Sequence, residues 1–225
     1  MWPRRKCVAL FPVNMNTQNP AYGLLKCLQE YGELASNPVL GLLAGETPVN
    51  EQKYPAQAVC FGKGKWRAFY HCHDAPGRSA IEHGHFHVYV SISDPQTGES
   101  SWAHLAALAM DMKGQPLCWF AVNRWVTDGP WLERSKVAGL LEDLSLQEET
   151  DLFTRWLSSI LCLYQAELLH LLGDRDVALE KSCRDQGRED CFNNHNLYKL
   201  AASDIGILDK LMAALHPEKG DIVAL

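Results

Sequence analysis

Residues 82–93 read Glu82-His83-Gly84-His85-Phe86-His87-Val88-Tyr89-Val90-Ser91-Ile92-Ser93. In an extended chain successive side chains alternate between two faces, so residues i, i+2 and i+4 point the same way. His83, His85 and His87 then share one face of a strand, and Gly84, Phe86 and Val88 share the other. One face carries imidazole and the other is apolar, the pattern of a strand packed on a core through a single side. Gly84 offers no side chain on the apolar face, which lets a neighbour approach closely.

Upstream, Trp66 to His73 is rich in aromatic residues and reads as a second strand. His71 and His73 share one of its faces, and Cys72 between them points to the other. With a loop over residues 74–82, the two strands form an antiparallel hairpin that sets His71 and His73 opposite His85 and His83. Cross-strand Cβ atoms lie about 4.5–5.5 Å apart, near enough for two imidazoles to share one ion.

Downstream, Asp94-Pro95-Gln96-Thr97-Gly98 is a turn. Trp102 to Asp111 is an apolar run that reads as strand or helix, its alanines leaving both open. Lys113-Gly114-Gln115-Pro116 is another turn, and Leu117 to Val126 reads as a strand. Short turns between neighbours favour an antiparallel meander.

The flanks are helical. Pro20 suits a first helical turn with Asn19 as its cap, and Leu24, Leu28, Tyr31 and Ala35 fall on one face, predicting a helix from Asn19 to Ala35. Residues 37–55 carry four prolines and glycines before Pro55 and read as irregular connection with room for one short helix. Ser145-Leu146-Gln147-Glu148 has the reciprocal capping pattern. It predicts a long helix to about Leu172, with Phe153, Trp156, Ile160, Leu168 and Leu171 on its apolar face and Gly173 as its stop. A final helix is expected from Asn196 to Leu215, ended by Pro217 and Gly220. The fold expected is α+β: a central antiparallel meander packed by an N-terminal helix and two or more C-terminal helices. The chain reads as one domain over 1–225, with a β-rich core at about 56–130 and a helical part at about 145–216.

Composition narrows the function classes. The chain has 225 residues, 21 basic and 27 acidic side chains and a net charge of −6. No basic stripe suggests a nucleic-acid partner, and no stretch approaches the roughly 18 apolar residues of a membrane helix. The eight cysteines never form C-x-x-C, so zinc-ribbon and thioredoxin patterns are absent, and mostly reduced thiols in a cytoplasmic protein are expected. There is no Gly-rich phosphate loop, no G-x-S-x-G elbow and no H-E-x-x-H helix.

What remains is imidazole. Five of the nine histidines fall between Tyr70 and Tyr89. Imidazole is the commonest transition-metal ligand and a general acid or base near neutral pH. His71, His73, His83, His85 and His87 are therefore the candidate ligands for a divalent transition metal, iron or zinc, with Glu82 or Asp74 as a neighbouring carboxylate. Two histidines and a carboxylate suit non-haem iron; three histidines suit catalytic zinc. His104 joins the site if its face matches. Asn123-Arg124-Trp125-Val126-Thr127 forms a second candidate cluster, with Arg124 and Asn123 as catalytic-site residues that anchor a small-molecule substrate. The expected function is metal-dependent hydrolysis or non-haem iron oxidation. The rival is a non-enzymatic ligand-binding or interaction module with a structural histidine cluster.

Glu82-His83-Gly84-His85-Phe86-His87, followed by Asn123-Arg124-Trp125-Val126-Thr127, resembles an uncharacterised bacterial domain family that carries both motifs. The resemblance runs from about Tyr54 onward and implies that the two segments belong to one site. Gly77, followed after five residues by His83-Gly84-His85, is also similar to the opening of the cupin metal motif, though the glutamate that motif requires three or four residues later is missing.

Overall fold

The computed structural model describes residues 19–73, 79–94, 96–144, 146, 149–186 and 191–216. Asp74, Gly77 and the Ser145–Glu148 cap, together with Pro217 and Gly220, lie outside or are incomplete within these residues. Among the described residues six strands make one sheet in chain order, every neighbouring pair antiparallel. They are β1 (Tyr54–Phe61), β2 (Trp66–His71), β3 (Glu82–Ser93), β4 (Ser100–Asp111), β5 (Pro116–Val122) and β6 (Lys199–Asp204). Helices α1 (Pro20–Glu33) and α2 (Pro38–Leu43) precede the sheet; α3 (Arg124–Thr127), α4 (Arg134–Glu142), α5 (Leu152–Leu163) and α6 (Gln165–Gln186) lie between β5 and β6, and α7 (Ile207–Leu215) follows. This open meander is the expected α+β architecture. It is not the double-sheet jelly roll of cupins.

The helical layer covers one sheet face. Ala21, Leu24, Cys27 and Tyr31 of α1 pack with Trp156, Leu157 and Ile160 of α5 against Tyr70, Phe86, Val88, Leu108 and Trp119. Asn19 caps α1 by accepting from the Ala21 amide. Asp151 caps α5 by accepting from Phe153 and Thr154. The Arg155 guanidinium forks onto both Glu30 oxygens, tying α5 to α1.

Three expectations are corrected. The long helix is two, because the chain bends at Tyr164 (φ −103°, ψ 20°) and starts again. The second piece runs past Gly173, where the bare Cα lets the Arg134 side chain lie against α6. The expected strand through Val126 ends at Val122, and Asn123 caps the short α3 instead. The expected helix from Asn196 splits into β6 and α7, since residues 199–204 pair with β5 and complete its backbone hydrogen bonds. Long-range pairing outweighs the helical spacing of Leu197, Ala201 and Ile205. Residues 54–61 form β1, which starts inside the stretch expected to be irregular and adds a strand to the expected β-rich core. Cys183 and Cys191 form a disulfide, while Cys27, Cys60, Cys118 and Cys162 are free thiols. Among the described residues no helix is long and apolar enough to cross a membrane.

Candidate metal centre

The sheet face turned away from the main helical layer holds the imidazoles. His71 sits opposite His85 in the β2–β3 ladder, and Phe69 sits opposite His87. Across β3 on the other side lie Ala109 and Ala107 of β4. These two small side chains leave space above the sheet that the imidazoles fill. Phe69 walls one side, 5.4 Å from the His87 ring, and Phe120 of β5 meets the His85 ring edge-on at 5.2 Å.

Two irregularities in β3–β4 pairing decide which histidines meet. A register shift between Glu82 and Gly84 reverses the alternation at the start of β3. Glu82 thereby joins the imidazole face, and its carboxylate accepts from His85 Nδ1 at 2.9 Å. His83 is turned to the opposite face, where its Nδ1 meets the Tyr70 hydroxyl at 2.6 Å and its ring stacks on Tyr70. The structure therefore does not bring His83 to the cluster. A second shift, between Val88 and Tyr89, lets His104 face the imidazoles although simple alternation from Ala107 would turn it away. Its Nε2 lies 2.8 Å from His87 Nδ1. Gly84 has the close neighbour expected of it: a Cβ there would lie 2.6 Å from the His71 carbonyl and 2.5 Å from the Tyr70 hydroxyl.

At the centre, His71 Nε2 lies 2.9 Å from His85 Nε2 and 2.9 Å from His87 Nε2. His71, His85 and His87 form a group able to hold a metal ion. In a tetrahedral site with zinc–nitrogen bonds of about 2.0–2.1 Å, ligand nitrogens are about 3.3 Å apart, so each of the two His71 contacts lies within a few tenths of an ångström of that spacing. His73 is a neighbour. Its ring lies 4.9 Å from His71 and 5.2 Å from His85, its Nδ1 is 3.8 Å from Glu51, and its Nε2 is 3.4 Å from the Tyr198 hydroxyl.

Proton bookkeeping favours a cation here. The Glu82 carboxylate accepts from His85 Nδ1–H, which leaves His85 Nε2 a bare lone pair. If His71 Nε2 carries a proton it can donate to His85, but it then has no lone pair to receive one from His87. One proton arrangement therefore satisfies only one of the two contacts as an ordinary hydrogen bond. An ion satisfies both. The imidazoles are also held in the form a metal needs. Burial, reinforced by His85, His73 and Lys53, pulls His71 down to about 3. Burial, then His104, His85, His71 and His73, pulls His87 well below its ordinary value. Burial, with Arg175 and His85, lowers His104 to about 3.

The second cluster sits beside this centre without entering it. Asn123 is fully buried; its Nδ2 donates to the Cys191 carbonyl at 2.9 Å and its Oδ1 accepts from the Arg124 amide. Its own backbone N–H donates to the Tyr198 carbonyl, and Trp125 Nε1 donates to the Leu197 carbonyl. Arg124 lies over the Phe192 ring at 4.5 Å and lines a narrow crevice that His104 and Arg175 also border. These contacts anchor residues 191–198 and, through Tyr198, reach His73. A larger cavity between α4 and α6, lined by Trp131, Arg134, Asp176 and Phe192, includes none of the imidazoles.

Sequence reading places Glu82 beside the histidines without fixing its partner, His85, and does not single out Tyr198, which meets His73. Only the first had a local signal, a carboxylate within the histidine run. No curated protein and no solved structure matches the chain. A family model described as a domain of unknown function, DUF6969, matches residues 18–205, a span that contains both the 82–87 and the 123–127 motifs. The chain belongs to that family.

Proposed function

We propose that the chain is a metal-dependent enzyme acting on a small molecule, with a zinc ion held by Nε2 of His71, His85 and His87. The observation that carries this reading is the double contact of His71 Nε2, 2.9 Å from each of two other Nε2 atoms. Zinc is preferred over iron because Glu82 is engaged with His85 Nδ1, behind the ligand set. Three imidazoles suit catalytic zinc, whereas non-haem iron uses a carboxylate as ligand. A zinc ion with three protein ligands keeps one position for water and lowers that water's pKa towards 7, which points to hydrolysis. In this reading Arg124 and Asn123 act by fixing the segment that carries Tyr198 at the mouth of the site.

The test is elemental analysis of untagged protein beside the His85→Ala/His87→Ala double variant. About one zinc per chain in the parent and none in the double variant is the expected result. Substoichiometric metal in the parent after zinc supplementation, or equal metal in both proteins, would overturn the reading.

Glu82 has a role of its own. It fixes the His85 tautomer and increases the basicity of Nε2. Glu82→Gln keeps the size and a weaker acceptor while removing the charge. Zinc affinity is expected to fall about 10–100-fold, the usual effect of losing such a partner, read by competition with a chromophoric chelator. An affinity unchanged within twofold would remove Glu82 from the centre.

A further inference from the structure

We propose that the substrate of this centre is a small oxyanion, a carboxylate or a phosphate monoester, gripped by Lys53 and Lys199 on either side of the imidazoles. The inference rests on the zinc reading above and adds the substrate class.

Lys53 stands just before β1, with its Nζ 4.7 Å from the centroid of the Phe69 ring. Phe69 is the wall against His71 and His87. Lys199 opens β6, opposite Val122, with its Nζ 4.7 Å from the centroid of the Phe120 ring. Phe120 is the wall against His85. The two ammonium groups therefore bracket the cluster from the β2 side and the β5 side, each resting on the aromatic ring that borders the metal ligands.

Position distinguishes these lysines from other surface cations. Among the described residues neither has a carboxylate within 4.0 Å, which Lys26 and Lys113 share, but these two rest on the rings that border the imidazoles. Of the acids on this side, Glu82 is engaged with His85, while the largely exposed Glu51 lies 3.8 Å from His73. A divalent ion in the His71–His85–His87 site would add two further positive charges. The site then presents a cationic surround in which Glu82 is held by His85, the field that collects an anion from solution. The Tyr198 hydroxyl, beside His73, supplies a neutral donor at the same opening.

The probe is the full chain loaded with cobalt(II) in place of zinc, whose visible absorption reports what enters the open coordination position. Acetate, inorganic phosphate and neutral acetamide are titrated in turn against the parent and the Lys53→Met/Lys199→Met variant. Methionine keeps an apolar stem over each ring. The expected result is a spectral change with acetate or phosphate and none with acetamide, and an anion affinity about tenfold weaker in the double variant at equal cobalt content, as for lost charge-assisted contacts. The anion more dependent on the lysines names the substrate group. Equal anion affinity in parent and variant, with cobalt bound in both, overturns the lysine assignment and leaves the metal site standing. Parent protein that takes up no cobalt overturns the metal reading and this inference with it. If the double variant fails to take up cobalt, the two single variants carry the same comparison.

Discussion

Stripping the metal is expected to lower the melting temperature by roughly 8–16 °C. A ligand present at a thousand times its dissociation constant, and bound by the native state alone, adds about 4 kcal/mol of stability. In a chain of 150–250 residues each kcal/mol moves the midpoint by roughly 2–4 °C. The ligands explain why the effect should approach this size. His71 lies at the end of β2, and His85 and His87 lie on β3, so an ion held by all three would join two strands whose ladder otherwise ends there. It also replaces an arrangement in which one of two 2.9 Å nitrogen contacts lacks a suitable proton. Calorimetry on zinc-loaded and chelator-treated protein measures the shift. Coincident melts in the presence of stoichiometric zinc would mean that the native state does not bind the ion in preference to the unfolded chain. Acid should act in the same direction on the stripped protein. His71 and His104 titrate near 3 in the folded chain against about 6.5 when unfolded. Below pH 6.5 the unfolded state therefore binds more protons, and stability falls as the pH drops from 6.5 towards 3. A midpoint that rose between pH 7 and pH 5 would contradict the burial of these rings.

The imidazole face was legible because a strand has a period of two. His85 and His87 lie on one face and Phe86 on the other in any extended reading, and His71 follows once the hairpin is closed. Residues beside a bulge were not legible. Alternation assigns His83 to the cluster, and the register shift at Glu82–Gly84 turns it away; Glu82, expected only as a neighbouring carboxylate, takes its place on the imidazole face. His104 is the same case in reverse, brought in by the shift at Val88–Tyr89. A bulge depends on how two strands pair, and no residue within one strand announces it. The end of the sheet failed for a related reason. Residues 199–204 have weak local preference, and the backbone edge of β5 makes them a strand. Helical spacing therefore assigns Lys199 to a helix, which hides its place over Phe120. The Arg124 segment was recognised as a cluster, but its partners lie about seventy residues away, at Cys191 and Leu197.

Phe86→Ala should cost about 3–5 kcal/mol of folding stability, the range for removing a buried aromatic ring when the surroundings close only in part. Phe86 is wholly buried. Its ring meets Tyr70 at 5.0 Å, Phe153 at 5.2 Å and Trp156 at 5.7 Å, so one side chain joins β2, β3 and α5. The loss would appear in urea as a lower midpoint with an unchanged slope. Phe86→Leu keeps most of the volume and is expected to cost less than the alanine change. The consequence reaches the opposite face. Phe86 lies between His85 and His87, and its packing against the helices fixes the height and twist of β3 where those two rings project. Alanine should therefore weaken zinc binding while every ligand remains present, and leucine should largely restore it. A Phe86→Ala protein that loses less than about 1 kcal/mol would lie below the range for core aromatic truncation, and would mean that α5 does not pack on β3 as described. A destabilised variant that bound zinc as tightly as the parent would separate the two faces of the strand, and the helical layer would then have no part in holding His85 and His87 in place.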